Sequence, residues 1–140
     1  MWPIILLSLT LNLLAPATRG VIGLANETHL LALVNESRIA QSLPALASDP
    51  SLVRTARAHS DRMAAAGAVS HTPSLHAVLR GWTILGENVA MASGVRDVFD
   101  YFLASPRHRA LIADAGFTHA GVGVTDAGGT LFVTVWFGRL

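Results

Sequence analysis

Residues 120–138 read AGVGVTDAGGTLFVTVWFG, and the fold class turns on them. Ala120 to Val124 alternates small with branched residues, Asp126-Ala127-Gly128-Gly129 is turn chemistry, and Leu131 to Phe137 is rich in β-branched and aromatic side chains. Glycine tolerates the positive φ of a tight hairpin turn, and a period of two marks a strand with a buried face, so the segment predicts a β-hairpin.

Upstream the period changes. Val95, Val98, Phe99, Phe102 and Leu103 recur at three and four residues, which predicts an amphipathic helix interrupted at Ser105-Pro106. Serine as cap with proline at the first helical position restarts a helical turn over Pro106 to Asp114. Trp82 to Ala90 is expected to be extended, with Gly86 as a bend. Before it, Leu75 to Arg80 predicts a short helix closed by Gly81.

Asp49-Pro50 opens a further helix that runs to Ala66 and stops at Gly67. Its buried stripe reads Leu52, Ala56, His59, Met63, which leaves His59 as either a core histidine bonded to backbone or a group lining a pocket. The first helix is expected from Asn26 to Gln41, where Ser42-Leu43-Pro44 ends it. Helices first and strands last, with one extended piece between helices, predict an α+β domain whose helices cover both faces of a small antiparallel sheet.

Composition sets limits on the rest. A chain of 140 residues, 51% hydrophobic and 14% charged, is long enough for one domain with a single core. The net charge of +1 comes from ten arginines and nine acids spread along the chain, without a basic stripe to follow a phosphate backbone, which argues against nucleic-acid binding. There is no cysteine, so packing alone must hold the domain whatever the redox state around it. The apolar run from Pro3 to Leu14, followed by Ala15-Pro16-Ala17, has the pattern of a secretory signal cleaved after Ala17. It is shorter than the roughly 20 residues that span a bilayer. The expected organisation is therefore a signal segment over 1–17, a short lead over 18–27 and the domain over 28–140, secreted or held at the cell envelope and monomeric, with no transmembrane span after cleavage.

Three polar islands break the Ala/Leu/Val background: SHTPSL with His71, GENVA with Glu87, and SPRHR with His108. Two imidazoles and a carboxylate are what a metal or proton-transfer site is built from, and here they come from separate segments that only folding can unite. His108 falls in the first turn of its helix, where the positive end of the dipole favours the neutral ring that binds metal or accepts a proton. Spacing alone supplies no metal motif, since HExxH and cysteine pairs are both missing. Ser105 beside His108 suggests a nucleophile with its base, but its expected cap role accounts for it, and no Gly-x-Ser-x-Gly elbow exposes it.

Four blocks in order carry a resemblance: AxxHSxxM at Ala56 to Met63 followed by Ser70-His71, then GENVA, then SPRHRALI, then GVGV with a terminal WFG. Together they resemble the secreted CAP superfamily, the grouping of cysteine-rich secretory, antigen 5 and pathogenesis-related 1 proteins, and in particular its small bacterial branch. The resemblance covers residues 28–138. It implies an α-β-α sandwich with an open cleft where His71, Glu87 and His108 face one another and hold a divalent metal such as zinc. Ser105 stands where many relatives carry a second glutamate, Arg107 where glycine is usual, and Val135 where glutamine is frequent. Catalysis is not implied as a general property. Three readings of function stay open: a metal-binding cleft; a metal-dependent hydrolase with Glu87 as general base; and a module for a lipid, sterol, other small molecule or protein, using an apolar groove lined by Trp82, Phe99, Phe102 or Trp136.

Overall fold

A computed structural model describes residues 15–140. In chain order the elements are α1 (Ala15–Ala40), β1 (Ala47–Ser48), α2 (Pro50–Ala66), α3 (Leu75–Val78), β2 (Ile84–Ala92), α4 (Val95–Ala104), α5 (Pro106–Ile112), β3 (His119–Ala127) and β4 (Thr130–Arg139). Most of the signal segment expected over 1–17 lies outside the described residues.

The hairpin forms the centre of the sheet. β3 and β4 pair antiparallel from His119↔Gly138 to Ala127↔Thr130, and Gly128 and Gly129 make the two-residue turn with φ of 64° and 91°. Both central residues take the left-handed region, which is what this kind of turn demands. β2 pairs antiparallel with the other side of β4, so the strand order is β1-β3-β4-β2 and β2 is an edge. The expected all-antiparallel sheet needs one correction, because β1 pairs parallel with β3 through Ala47↔His119 and Ser48↔Ala120. Two residues show no period, so nothing in the sequence announced this strand.

Alternation along the strands sorts the core into two layers. Ala120, Val122 and Val124, with Leu131, Val133, Val135 and Phe137, meet Leu30 and Val34 of α1, Val98, Phe99 and Phe102 of α4, and Ile112 of α5. The opposite face carries Gly121, Gly123, Phe132 and Trp136 against α2. A Cβ at Gly121 would overlap the backbone of Leu52 and Val53, and one at Gly123 the backbone of Ala56 and Arg57. The bare glycine surface therefore lets α2 lie directly on the sheet. Ser60 of α2 fastens the contact, its Oγ lying 2.9 Å from both Gly123 O and Thr134 Oγ1.

Local chemistry sets the ends of α2 as expected. Asp49 accepts from the N–H of Ser51 and of Leu52 at 2.8 and 3.0 Å, Pro50 takes the first position, and Gly67 closes the helix at φ 65°. α1 begins well before Asn26, because Val21, Ile22 and Leu24 are exposed and leave no buried stripe for a periodic reading to find. α3 stops at Val78, two residues short of expectation, with Leu79 already extended.

One buried cation ties α1 to α5. Arg38 is buried, and its guanidinium donates to the carbonyls of Pro44, Ile112 and Asp114 at 2.9 Å and of Phe117 at 3.5 Å. Oxygens left over at the end of a short helix thus find donors, and α5 is fixed against the end of α1.

Candidate functional site

The structure brings His71, Glu87, Ser105 and His108 to one cleft of about 340 Å³, which Asn88, Arg107 and Leu111 also line. It opens over the edge strand β2. Because side chains alternate along a strand, Glu87 points toward the α2 face and its neighbour Asn88 toward the α4–α5 face, so one short segment of β2 serves both halves of the cleft.

On the α2 side, His59 and Met63 hold the loop that carries His71. His59 Nε2 lies 2.6 Å from Ser70 O, and Arg62 Nη2 lies 3.3 Å from His59 Nδ1. Arginine can only donate, so Nδ1 accepts and Nε2–H donates to the Ser70 carbonyl. Of the two expectations for His59, the structure shows the core histidine bonded to backbone, and this histidine places its neighbour in the cleft. Ser70 N–H reaches Met63 Sδ at 3.4 Å.

Glu87 completes this half. Its side chain is 1% exposed, and every hydrogen bond it receives comes from two consecutive residues. Oε1 accepts from Thr72 N–H at 2.8 Å and from His71 Nδ1 at 2.9 Å, and Oε2 accepts from Thr72 Oγ1 at 2.6 Å. An ionised carboxylate only accepts, so His71 Nδ1–H is the donor and Nε2 is the ring's other nitrogen. The His71 side chain is 61% exposed, which leaves that nitrogen open to a ligand. Thr72 was not anticipated. Its signal in the sequence is a single hydroxyl next to the histidine, and only the fold shows that it is buried on the carboxylate.

On the other side, His108 sits on α5 with its ring 5.3 Å from that of Tyr101 and 5.2 Å from that of Phe102. Asn88 Nδ2 donates to its backbone carbonyl at 3.0 Å. The ring Nδ1 is buried without a hydrogen-bond partner, so Nε2 is the nitrogen available to the cleft. Its pKa is lowered, first by burial and then by the nearby charges of His71 and Arg107. The neutral ring expected from the helix dipole is therefore favoured, but desolvation is the leading cause.

Ser105 requires a correction. It occupies the position before α5, but its side chain makes no capping hydrogen bond, and the restart of the helix rests on Pro106 and on Arg109 N–H donating to Ser105 O at 2.9 Å. Ser105 is instead one of the residues that line the cleft. The apolar groove expected around Trp82, Phe99, Phe102 or Trp136 is not formed by them, since all four are buried in the core. His29, His76 and His119 lie outside the cleft. Three larger grooves, of about 420, 660 and 740 Å³, border α1, and none is lined by a histidine. Among the described residues no group of three or more His, Cys, Asp or Glu side chains is placed to hold a metal, in keeping with a Glu87 whose oxygens are already occupied.

Residues 31–138 match the model of the cysteine-rich secretory protein family, CAP. The chain belongs to the CAP family. It does so without a single cysteine. An extracellular protein of Bacillus anthracis containing an SCP domain superimposes on this CAP domain with a TM-score of 0.79 and 30% identity, over 89% of this chain and 44% of that one. An outer surface protein of Borrelia burgdorferi gives 0.73 and 18% over 80% and 90% of the two chains. A cysteine-rich secretory protein of Staphylococcus aureus gives 0.73 and 16% over 84% and 39%. The CAP chain thus spans less than half the length of the Bacillus and Staphylococcus proteins. No curated protein matches it significantly. The α+β sandwich with helices on both faces is the architecture these structures share.

Proposed function

We propose that this CAP domain holds a divalent metal, zinc, between Nε2 of His71 and Nε2 of His108, in a protein that works at or beyond the cell surface. The observation that carries the reading is the Glu87–His71 hydrogen bond. A carboxylate that fixes the proton of a ligand histidine on its far nitrogen orients the ring and raises its basicity, the usual second layer of a metal site. His108 supports it, because a ring disfavoured as imidazolium keeps its lone pair for a metal.

The residues fit the ion as two neutral nitrogen donors with further positions left to water or a ligand, and Glu87 takes the orienting role in place of direct ligation. When bound, zinc would supply Lewis acidity to a group entering the cleft. Hydrolysis by Glu87 as general base gains no support from this geometry, because both oxygens are engaged by Thr72 and His71 in a buried position.

Export is supported by the leader-like run over Pro3 to Ala17 and by the extracellular and outer-surface descriptions of the Bacillus and Borrelia proteins. Among the described residues no helix is long and apolar enough to cross a membrane. N-terminal sequencing of the exported protein should begin at Thr18; an intact Met1 would contradict cleavage. The metal reading is tested by calorimetric titration of zinc into metal-free protein. One-to-one binding that a His71→Ala/His108→Ala variant loses is expected, and a folded wild type that binds none overturns it.

A further inference from the structure

We infer that the cleft takes an oxyanion, a carboxylate or a tetrahedral phosphate- or sulfate-like group, and that Arg107 selects it. This rests on the metal reading above and names the class of ligand that reading leaves open.

The cleft-lining groups divide by what they already do. Glu87 has both oxygens committed to Thr72 and His71, and the Asn88 amide donates to the His108 carbonyl. Arg107, Ser105 and the two imidazole Nε2 atoms remain. Arg107 is exposed at the mouth, and among the described residues its guanidinium has no hydrogen bond or ion pair. Ser105 adds a hydroxyl released from capping.

Charge then decides the sign of the occupant. Glu87 is the one acid lining the cleft, and it is walled off from a ligand. Two neutral imidazoles do not offset a divalent ion, Glu87 offsets one unit, and Arg107 restores it. The ion's charge is left uncompensated in a partly desolvated site, where Coulomb energies exceed those in bulk water. A cationic ligand is repelled and a neutral one leaves the guanidinium unpaired. With a metal held by the two histidines, an oxyanion would be drawn both to it and to the planar guanidinium fork, for which arginine is better suited than lysine.

The test is calorimetry of the zinc-loaded protein with sodium benzoate in one arm and sodium sulfate in the other, on wild type, Arg107→Gln and Arg107→Lys. Zinc isotherms are recorded first, so the metal site is scored separately. Saturable binding of at least one anion is expected, weakened about tenfold in Arg107→Gln, the size of one charge-assisted hydrogen bond, with Arg107→Lys in between. The arm that binds more tightly tells a planar from a tetrahedral oxyanion. If zinc binds one-to-one but neither anion does, or if Arg107→Gln binds as tightly as wild type, the inference is overturned while the metal reading stands. If zinc does not bind, both fall.

Discussion

His71 projects from the loop after α2 with most of its side chain in solvent and is steered by a buried carboxylate, whereas His108 is wedged against Tyr101 and Phe102 with one ring nitrogen buried and unpartnered. The two halves of the cleft use different physics to hold their imidazoles. On the α2 side a hydrogen bond fixes the tautomer. On the α5 side desolvation disfavours the charge, and the carbonyl clamp of Arg38 fixes the backbone. The first device depends on a single acceptor, and the second is spread over the packing of α1, α4 and α5.

The comparison breaks most severely at Arg38. Arg38→Met leaves buried carbonyls of Pro44, Ile112, Asp114 and Phe117 without donors and should cost on the order of 3–5 kcal/mol in denaturant unfolding. The damage should centre on α5 and His108, with the His59–Ser70 bond intact; a loss below about 1 kcal/mol would mean the clamp is not what seats this half. Glu87→Gln acts on the other half. It keeps the shape, removes the charged acceptor, and should weaken zinc binding by about 10- to 100-fold with a stability loss of about 1–3 kcal/mol. Unchanged zinc affinity would show that His71 does not rely on its carboxylate.

The α5 side also carries a pH signature. The folded pKa of His108 is below its unfolded value, so between the two the unfolded state binds more protons. The contribution is fully present above the unfolded value, near 6.5, and is lost as pH falls through the folded pKa. Metal-free protein should therefore unfold more easily as pH is lowered from about 6.5, and His108→Gln should flatten that slope; an unaltered slope would place the titration elsewhere. The smallest effect belongs to Ser105→Ala. A lost cap costs about 0.5–2 kcal/mol, but Ser105 makes no cap bond, so the change should stay under about 0.5 kcal/mol.

The same contrast explains what the sequence disclosed. α2 was legible from Asp49-Pro50 to Gly67 because caps are local chemistry, and the hairpin because its turn glycines and period agree. β1 was hidden because two residues have no period, and the start of α1 because Val21, Ile22 and Leu24 bury little. At the site, the residue types of His71, Glu87 and His108 stood out against their background, and the family resemblance grouped them. Their division of labour did not, because it depends on contacts across the fold. Thr72 binds a carboxylate fifteen positions away, and Ser105, which looked like a cap, makes no cap bond and lines the cleft.

The most direct test of two open Nε2 atoms is ¹⁵N NMR of the histidine rings in metal-free protein during addition of zinc. Before zinc, His71 should show the Nδ1–H tautomer. One equivalent should then shift Nε2 of His71 and His108 together while leaving His59 unchanged. A His71 ring protonated on Nε2, or saturation that moves His29, His76 or His119 and spares the cleft pair, would contradict it.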